Sequence, residues 1–66
     1  MGIFGKSDKH LMEENIAARM RYYSEPAGKP AYISRPQTPD EKIIVRTREE
    51  LELRGYHWNG HQWVRT

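Results

Sequence analysis

Three histidines, a scatter of carboxylates and a cluster of aromatic rings set among arginines are the residues of this 66-residue chain that could do chemistry. His57 and His61 stand four apart around Asn59-Gly60, a spacing that aligns two metal ligands on a helix but not across a hairpin turn, where these two point to opposite faces. His10 lies far away in sequence, and with no Cys to complete a soft site no metal is expected. Ser7, Ser24 and Ser34 fall in or beside irregular segments, and Glu13, Glu14, Glu49, Glu50 and Glu52 fall on predicted helices, where a solvated face accounts for them. No nucleophile, base and orienting acid come together, and so short a chain can hardly enclose a pocket of even about 300 Å³. The expectation is a non-enzyme, with no cofactor and no small-molecule substrate. What remains is "RGYHWNGHQWVR". Its rings form either the core of a very small domain or a stacking platform for single-stranded nucleic acid, with Trp58 and Trp63 as rings and Arg46, Arg54 and Arg65 as phosphate contacts.

The elements that would hold these residues differ in composition. Residues 1–7 read as a flexible N-terminus. The "GKS" at Gly5–Ser7 lacks the earlier glycine and the strand of a phosphate loop, and "MGIFGKS" puts Lys6 where a myristoylation start needs Ser or Thr. Residues 8–23 contain no Gly or Pro. Met12, Ile16, Met20 and Tyr23 follow i, i+4, i+8, i+11, one stripe of an amphipathic helix that Leu11 widens. Ser7 or Asp8 can cap it. Residues 24–40 hold all four prolines, so a linker or extended strap is predicted, pinned by Tyr32 and Ile33. The prolines around Arg35 give a PxxP spacing that serves as a stiff spacer.

Residues 41–66 read as β-α-β-β. "KIIVR" is a β-branched run of the strand type. Thr47-Arg48-Glu49-Glu50 fits a capping box, Leu51 and Leu53 follow, and Gly55 stands where a left-handed residue ends a helix. Asn59-Gly60 marks a two-residue hairpin turn pairing Trp58 with His61, His57 with Gln62 and Tyr56 with Trp63. Tyr56, Trp58, His61, Trp63 and Arg65 then share one face, set to pack on Leu51 and Leu53. The crossover is short for a parallel link, so "KIIVR" is expected antiparallel to "HQWVR" in a three-stranded sheet. The fold class predicted is α+β: an N-terminal amphipathic helix, a Pro-rich strap and this small unit.

The segment "EELELRGYHWNGHQWVR" resembles a short module of bacterial and phage proteins. In that module a helix ends in Leu/Ala-x-Gly, then come aromatic-x-Trp-Asp/Asn, a turn, and a closing Trp with an aromatic or aliphatic neighbour. Leu51, Gly55, Tyr56, Trp58, Asn59, Trp63 and Val64 match, over about the last 26 residues, with a shorter turn than the family's. The module occurs alone or appended to nucleases, helicases, primases and other DNA-transaction proteins. The resemblance therefore implies β-α-β-β and a phage or mobile-element setting, and it implies no activity.

Composition bounds the rest. Sixty-six residues bury only about 60% of the unfolded surface, so one marginal domain is expected, and with no Cys no disulfide can support it. Eleven basic against nine acidic residues leave a formal charge of +2, far from the clustered excess of a DNA-coating protein. No apolar run reaches the roughly 18 residues of a membrane span, and "MGIFGK" lacks the apolar middle of a signal peptide, so a cytoplasmic protein with no membrane partner is expected. Two functions fit. The first is a small interaction protein that binds a protein partner, or itself, through the helix and strap residues Met12, Ile16, Met20, Tyr23, Tyr32 and Arg35. The alternative is a nucleic-acid-binding accessory using the arginine-flanked hairpin.

Overall fold

A computed structural model of the chain describes residues 6–24, 28–30 and 32–65. Residues 1–5 of the expected flexible N-terminus, and residues 25–27 and 31 of the strap, lie outside them. The order is α1 (Asp8–Tyr23), α2 (Pro39–Leu53), β1 (Tyr56–Trp58) and β2 (Trp63–Arg65). α1 begins where the Ser7 hydroxyl accepts from the His10 amide at 3.1 Å, and Asp8 and Arg21 sit at the ends that suit their charges. Its buried face is Leu11, Asn15, Ala18 and Tyr22, one residue round from the apolar stripe expected. Met12 and Ile16 are half-buried, Tyr23 is exposed and Met20 is 68% exposed. The expected stripe counted large apolar side chains alone. The face that packs on α2 is built on a small residue, Ala18, and an amide, Asn15, whose value lies in what they meet.

The predicted β-α-β-β unit and its three-stranded sheet are not formed. "KIIVR" lies inside α2, and the sheet has two strands. The helix begins at Thr38, not Thr47. Thr38 accepts from the Glu41 amide at 3.3 Å while the Glu41 carboxylate accepts from the Thr38 amide at 2.8 Å, with Pro39 and Asp40 between them. This is a complete capping box with proline in the first turn, where its missing donor costs nothing. β-branched Ile43, Ile44 and Val45 lose up to about 0.7 kcal/mol each in a helix, and burial of one such side chain returns about 1.5–3 kcal/mol. Burial wins. Ile44, Thr47, Arg48 and Leu51 are buried at i, i+3, i+4 and i+7. Thr47, expected as a cap, sits in mid-helix and returns its hydroxyl to the Ile43 carbonyl at 2.7 Å. Arg54 closes the helix and Gly55 follows at φ +91°, the left-handed conformation expected of it. Leu53, expected under the hairpin, is 84% exposed.

The hairpin forms in a different register. Tyr56 pairs with Arg65, His57 with Val64 and Trp58 with Trp63, so His61 and Gln62 belong to the connection rather than to β2. Gly60 alone takes a positive φ, +104°. The Asn59 side-chain oxygen accepts from the His61 and Gln62 amides, both at 2.8 Å, and so organises the turn. The shift is two residues, which preserves faces. Tyr56, Trp58, Trp63 and Arg65 still share one side, and the two indoles stand opposite each other at 5.5 Å. The expected register would have set polar His61 opposite Trp58 instead.

Two apolar clusters make the core. Leu11, Leu51 and Trp63 pack together with half-buried Met12, Tyr56 and Trp58, under the hairpin. Ala18, Tyr22, Ile33 and Ile44 pack with Ile43 and Val45, under the strap. Asn15 stands between them, fully buried. Its amide donates to the Ile44 carbonyl (3.2 Å) and Thr47 hydroxyl (2.9 Å), and its oxygen accepts from Arg19 Nε (2.8 Å) and Trp63 Nε1 (2.9 Å). Two donors and two acceptors are all an asparagine side chain can supply. Every one is used, and they tie both helices to the hairpin.

Candidate functional site

The aromatic ribbon is spent on the fold at one end and open at the other. Trp63 is 6% exposed, with its indole N–H held by Asn15. Tyr56 is half-buried and donates its hydroxyl to Asp8 at 2.9 Å. Trp58 is half-buried and carries the Arg19 guanidinium 4.2 Å above its ring. Arg54 bonds the other oxygen of Asp8 at 2.6 Å and the Lys6 carbonyl at 2.8 Å. These bonds, Arg54 first and Tyr56 second, hold the Asp8 carboxyl below the usual range. Arg46 is exposed on α2, and Arg65 lies over the Tyr56 ring at 5.3 Å. The three arginines proposed for phosphates are thus not gathered around a free ring.

The partner-binding residues fall into two groups. Met12 and Ile16 are half-buried, with Met12 packed on the Leu11–Leu51–Trp63 cluster. Tyr23 and Tyr32 converge on a cleft between α1, α2 and the strap, while Arg35 is exposed elsewhere on the strap. Ile33 is buried and pins the strap as expected, whereas Tyr32 is 66% exposed. The hydroxyl of Tyr23 donates to the Pro30 carbonyl at 2.7 Å, a second tie between helix and strap.

The cleft has a volume of about 230 Å³. Arg19 and Arg48 line it together with Tyr23, Tyr32 and Trp58, and buried Ile33 and Ile44 close it within. Arg48 is 9% exposed. Its Nη1 donates to the Ile33 carbonyl at 3.2 Å, the Tyr32 ring covers its face at 4.2 Å, and its buried Nε has no acceptor. Burial lowers the pKa of Arg19 from its ordinary value, and the charge of Arg48 lowers it further, against an opposing effect of Tyr23. Among the described residues neither guanidinium has a carboxylate at ion-pair distance, although Glu52 also lines the cleft. A second cavity of about 370 Å³ differs in kind. It mixes Lys6, Glu14, Glu50 and Arg54, and Lys6 pairs with Glu14 at 3.0 Å.

Arg19 and Arg48 are the residues the sequence did not single out. Their signal was positional. Arg19 lies four residues from Asn15, and Arg48 lies at i+4 from Ile44 on the buried face of α2, whose residues 42–46 were expected as a strand. No protein-family model, curated protein or solved structure matches the chain. Among the described residues no helix is long and apolar enough to cross a membrane.

Proposed function

We propose that this is a small non-enzymatic interaction protein that binds a protein partner through the face shared by α1 and the strap. The observation that carries this reading is the cleft between α1, α2 and the strap. It sets exposed Tyr23 and Tyr32 around two cations, with Met20 beside Tyr23 at i, i+3 on the helix surface. Exposed aromatic and methionine side chains set around arginines are the composition of a binding surface. The C-terminal resemblance supports a phage or mobile-element setting, and a cytoplasmic site of action goes with it. The accessory nucleic-acid reading has less behind it, because Trp63 is in the core and Arg54 is bound to Asp8.

The test compares two surface variants for partner capture: Met20→Glu with Tyr32→Glu, and Arg46→Glu with Arg65→Glu. The first pair is expected to lose partners that the second keeps. The reverse pattern, with binding to oligonucleotides that weakens steeply with salt, would favour the hairpin as the interface.

A further inference from the structure

We propose that the Arg19–Arg48 cleft receives the carboxylate of a single Asp or Glu side chain of the partner, an inference that rests on the protein-binding reading above. The two guanidiniums line one cleft, and the faces of both are occupied, Arg19 by Trp58 and Arg48 by Tyr32, each at 4.2 Å. A ring over each guanidinium leaves its N–H edges as the directions from which an acceptor can approach.

Those edges are under-used. Arg19 spends Nε on Asn15, and Arg48 spends Nη1 on the Ile33 carbonyl while its Nε, inside the protein, has no acceptor. A buried guanidinium whose Nε lacks an acceptor, with a second cation in the same cleft, is costly. A carboxylate is the group that relieves both costs at once. It brings one negative charge, and its two oxygens match the guanidinium fork.

Size selects a side chain. About 230 Å³ lies below the roughly 300 Å³ at which small-molecule pockets begin, and is too little for a nucleotide. The aromatic rim of Tyr23 and Tyr32 would pack on the neighbouring residues of the same peptide, so the fitting ligand is an Asp or Glu flanked by apolar residues.

The experiment titrates the full chain with an acetylated, amidated peptide carrying one Glu between two Leu, and follows the side-chain N–H signals of Arg19 and Arg48 and the indole of Trp58 by NMR. Parallel arms use the same peptide with Gln in place of Glu, and inorganic phosphate. Saturable shifts confined to these signals, at least tenfold weaker for the Gln peptide, are expected. Arg48→Lys keeps the charge and removes the fork, and should weaken binding about tenfold. Arg19→Gln should do the same and keeps the test open if Arg48→Lys fails to fold. Arg46→Gln, outside the cleft, should bind as the parent does. Equal binding of the Glu and Gln peptides, tighter binding of phosphate, or shifts centred on Arg46 and Arg65 would each overturn the assignment. If the peptide fails while Met20→Glu with Tyr32→Glu still loses the partner, this inference falls and the interaction reading stands. If the peptide binds the cleft while that double variant loses nothing, the broader reading is the one that falls.

Discussion

The two ends of the α1–α2 pair are closed by different means. At one end a hydrogen-bonded hairpin lays Trp63 on Leu11 and Leu51, and Asp8 ties Arg54 and Tyr56 to the start of α1. At the other, an extended strap buries Ile33 among its described residues and is held by hydrogen bonds from Tyr23 to the Pro30 carbonyl and from Arg48 to the Ile33 carbonyl, and by rings over cations: Tyr32 on Arg48, and Lys29 4.5 Å above Tyr22. A hairpin satisfies its own backbone and can afford to bury a large ring. A strap rich in proline cannot pair with itself. Stability is concentrated at the first end, and the Arg19–Arg48 cleft lies where the strap, the two helices and Trp58 of the hairpin meet.

Substitutions should expose this asymmetry. Trp63→Ala removes the ring at the hairpin end and a donor to Asn15, and is expected to cost about 3–5 kcal/mol in urea unfolding. That is a large share of any total for so small a domain. Trp58→Ala should cost clearly less, because its ring is half-exposed; equal losses for the two indoles would mean that the hairpin face is not divided as described. Asn15→Leu keeps the volume but strands Arg19 Nε and Trp63 Nε1. A loss of about 3 kcal/mol is expected, felt at both ends by hydrogen exchange. A variant as stable as the parent would show that the shared amide does not couple them. Ile33→Ala should cost about 2 kcal/mol, the low end for a buried aliphatic, because the strap can settle into the gap.

Acid should act at both ends through one carboxylate each. Hydrogen bonds from the Thr38 and Gln37 amides, with Tyr22, pull Glu41 from 4.5 down to about 2, and Arg54 with Tyr56 pulls Asp8 below 3.8. A depressed folded pKa contributes stability that is complete above the unfolded value and lost as pH falls through the folded one. For Glu41 that window runs from about pH 4.5 to about 2. Melting temperature should fall across it, and Glu41→Gln should flatten that fall; an unchanged slope in the variant would remove Glu41 as its source. The smallest effect belongs to Tyr32→Ser, expected within about 0.5 kcal/mol of the parent because the ring is mostly exposed. A larger loss would mean that the strap is held by this ring rather than by Ile33.

The legible parts of the fold were those that a few neighbouring atoms decide. Ser7 as a cap, α1 over residues 8–23, Gly55 as a left-handed stop and the shared face of Tyr56, Trp58 and Trp63 follow from local geometry, and the structure has them. The candidate site was legible in part. Tyr23 and Tyr32 were singled out, but the cations between them were not, because nothing local distinguishes Arg19 or Arg48 from the exposed Arg21 or Arg46.

The sequence reading placed the capping box at Thr47–Glu50; Thr38–Glu41, inside the expected strap, has the same residue types at the same spacing and is the box the structure uses. Choosing between them requires knowing whether Ile43, Ile44 and Val45 continue a helix, and their intrinsic preference points the other way. The decision came from α1. A second helix offers Ile44, Thr47, Arg48 and Leu51 one continuous surface to bury against, whereas a strand of five residues would have placed alternate side chains on opposite faces. The face of α1 itself was settled the same way, by the three partners that Asn15 finds on α2 and the hairpin. Local chemistry determined where helices could start and stop; which start was used, and which face was buried, depended on contacts 29 to 48 residues apart, whose free energy exceeds the few tenths of a kcal/mol that separate helix from strand at any one residue.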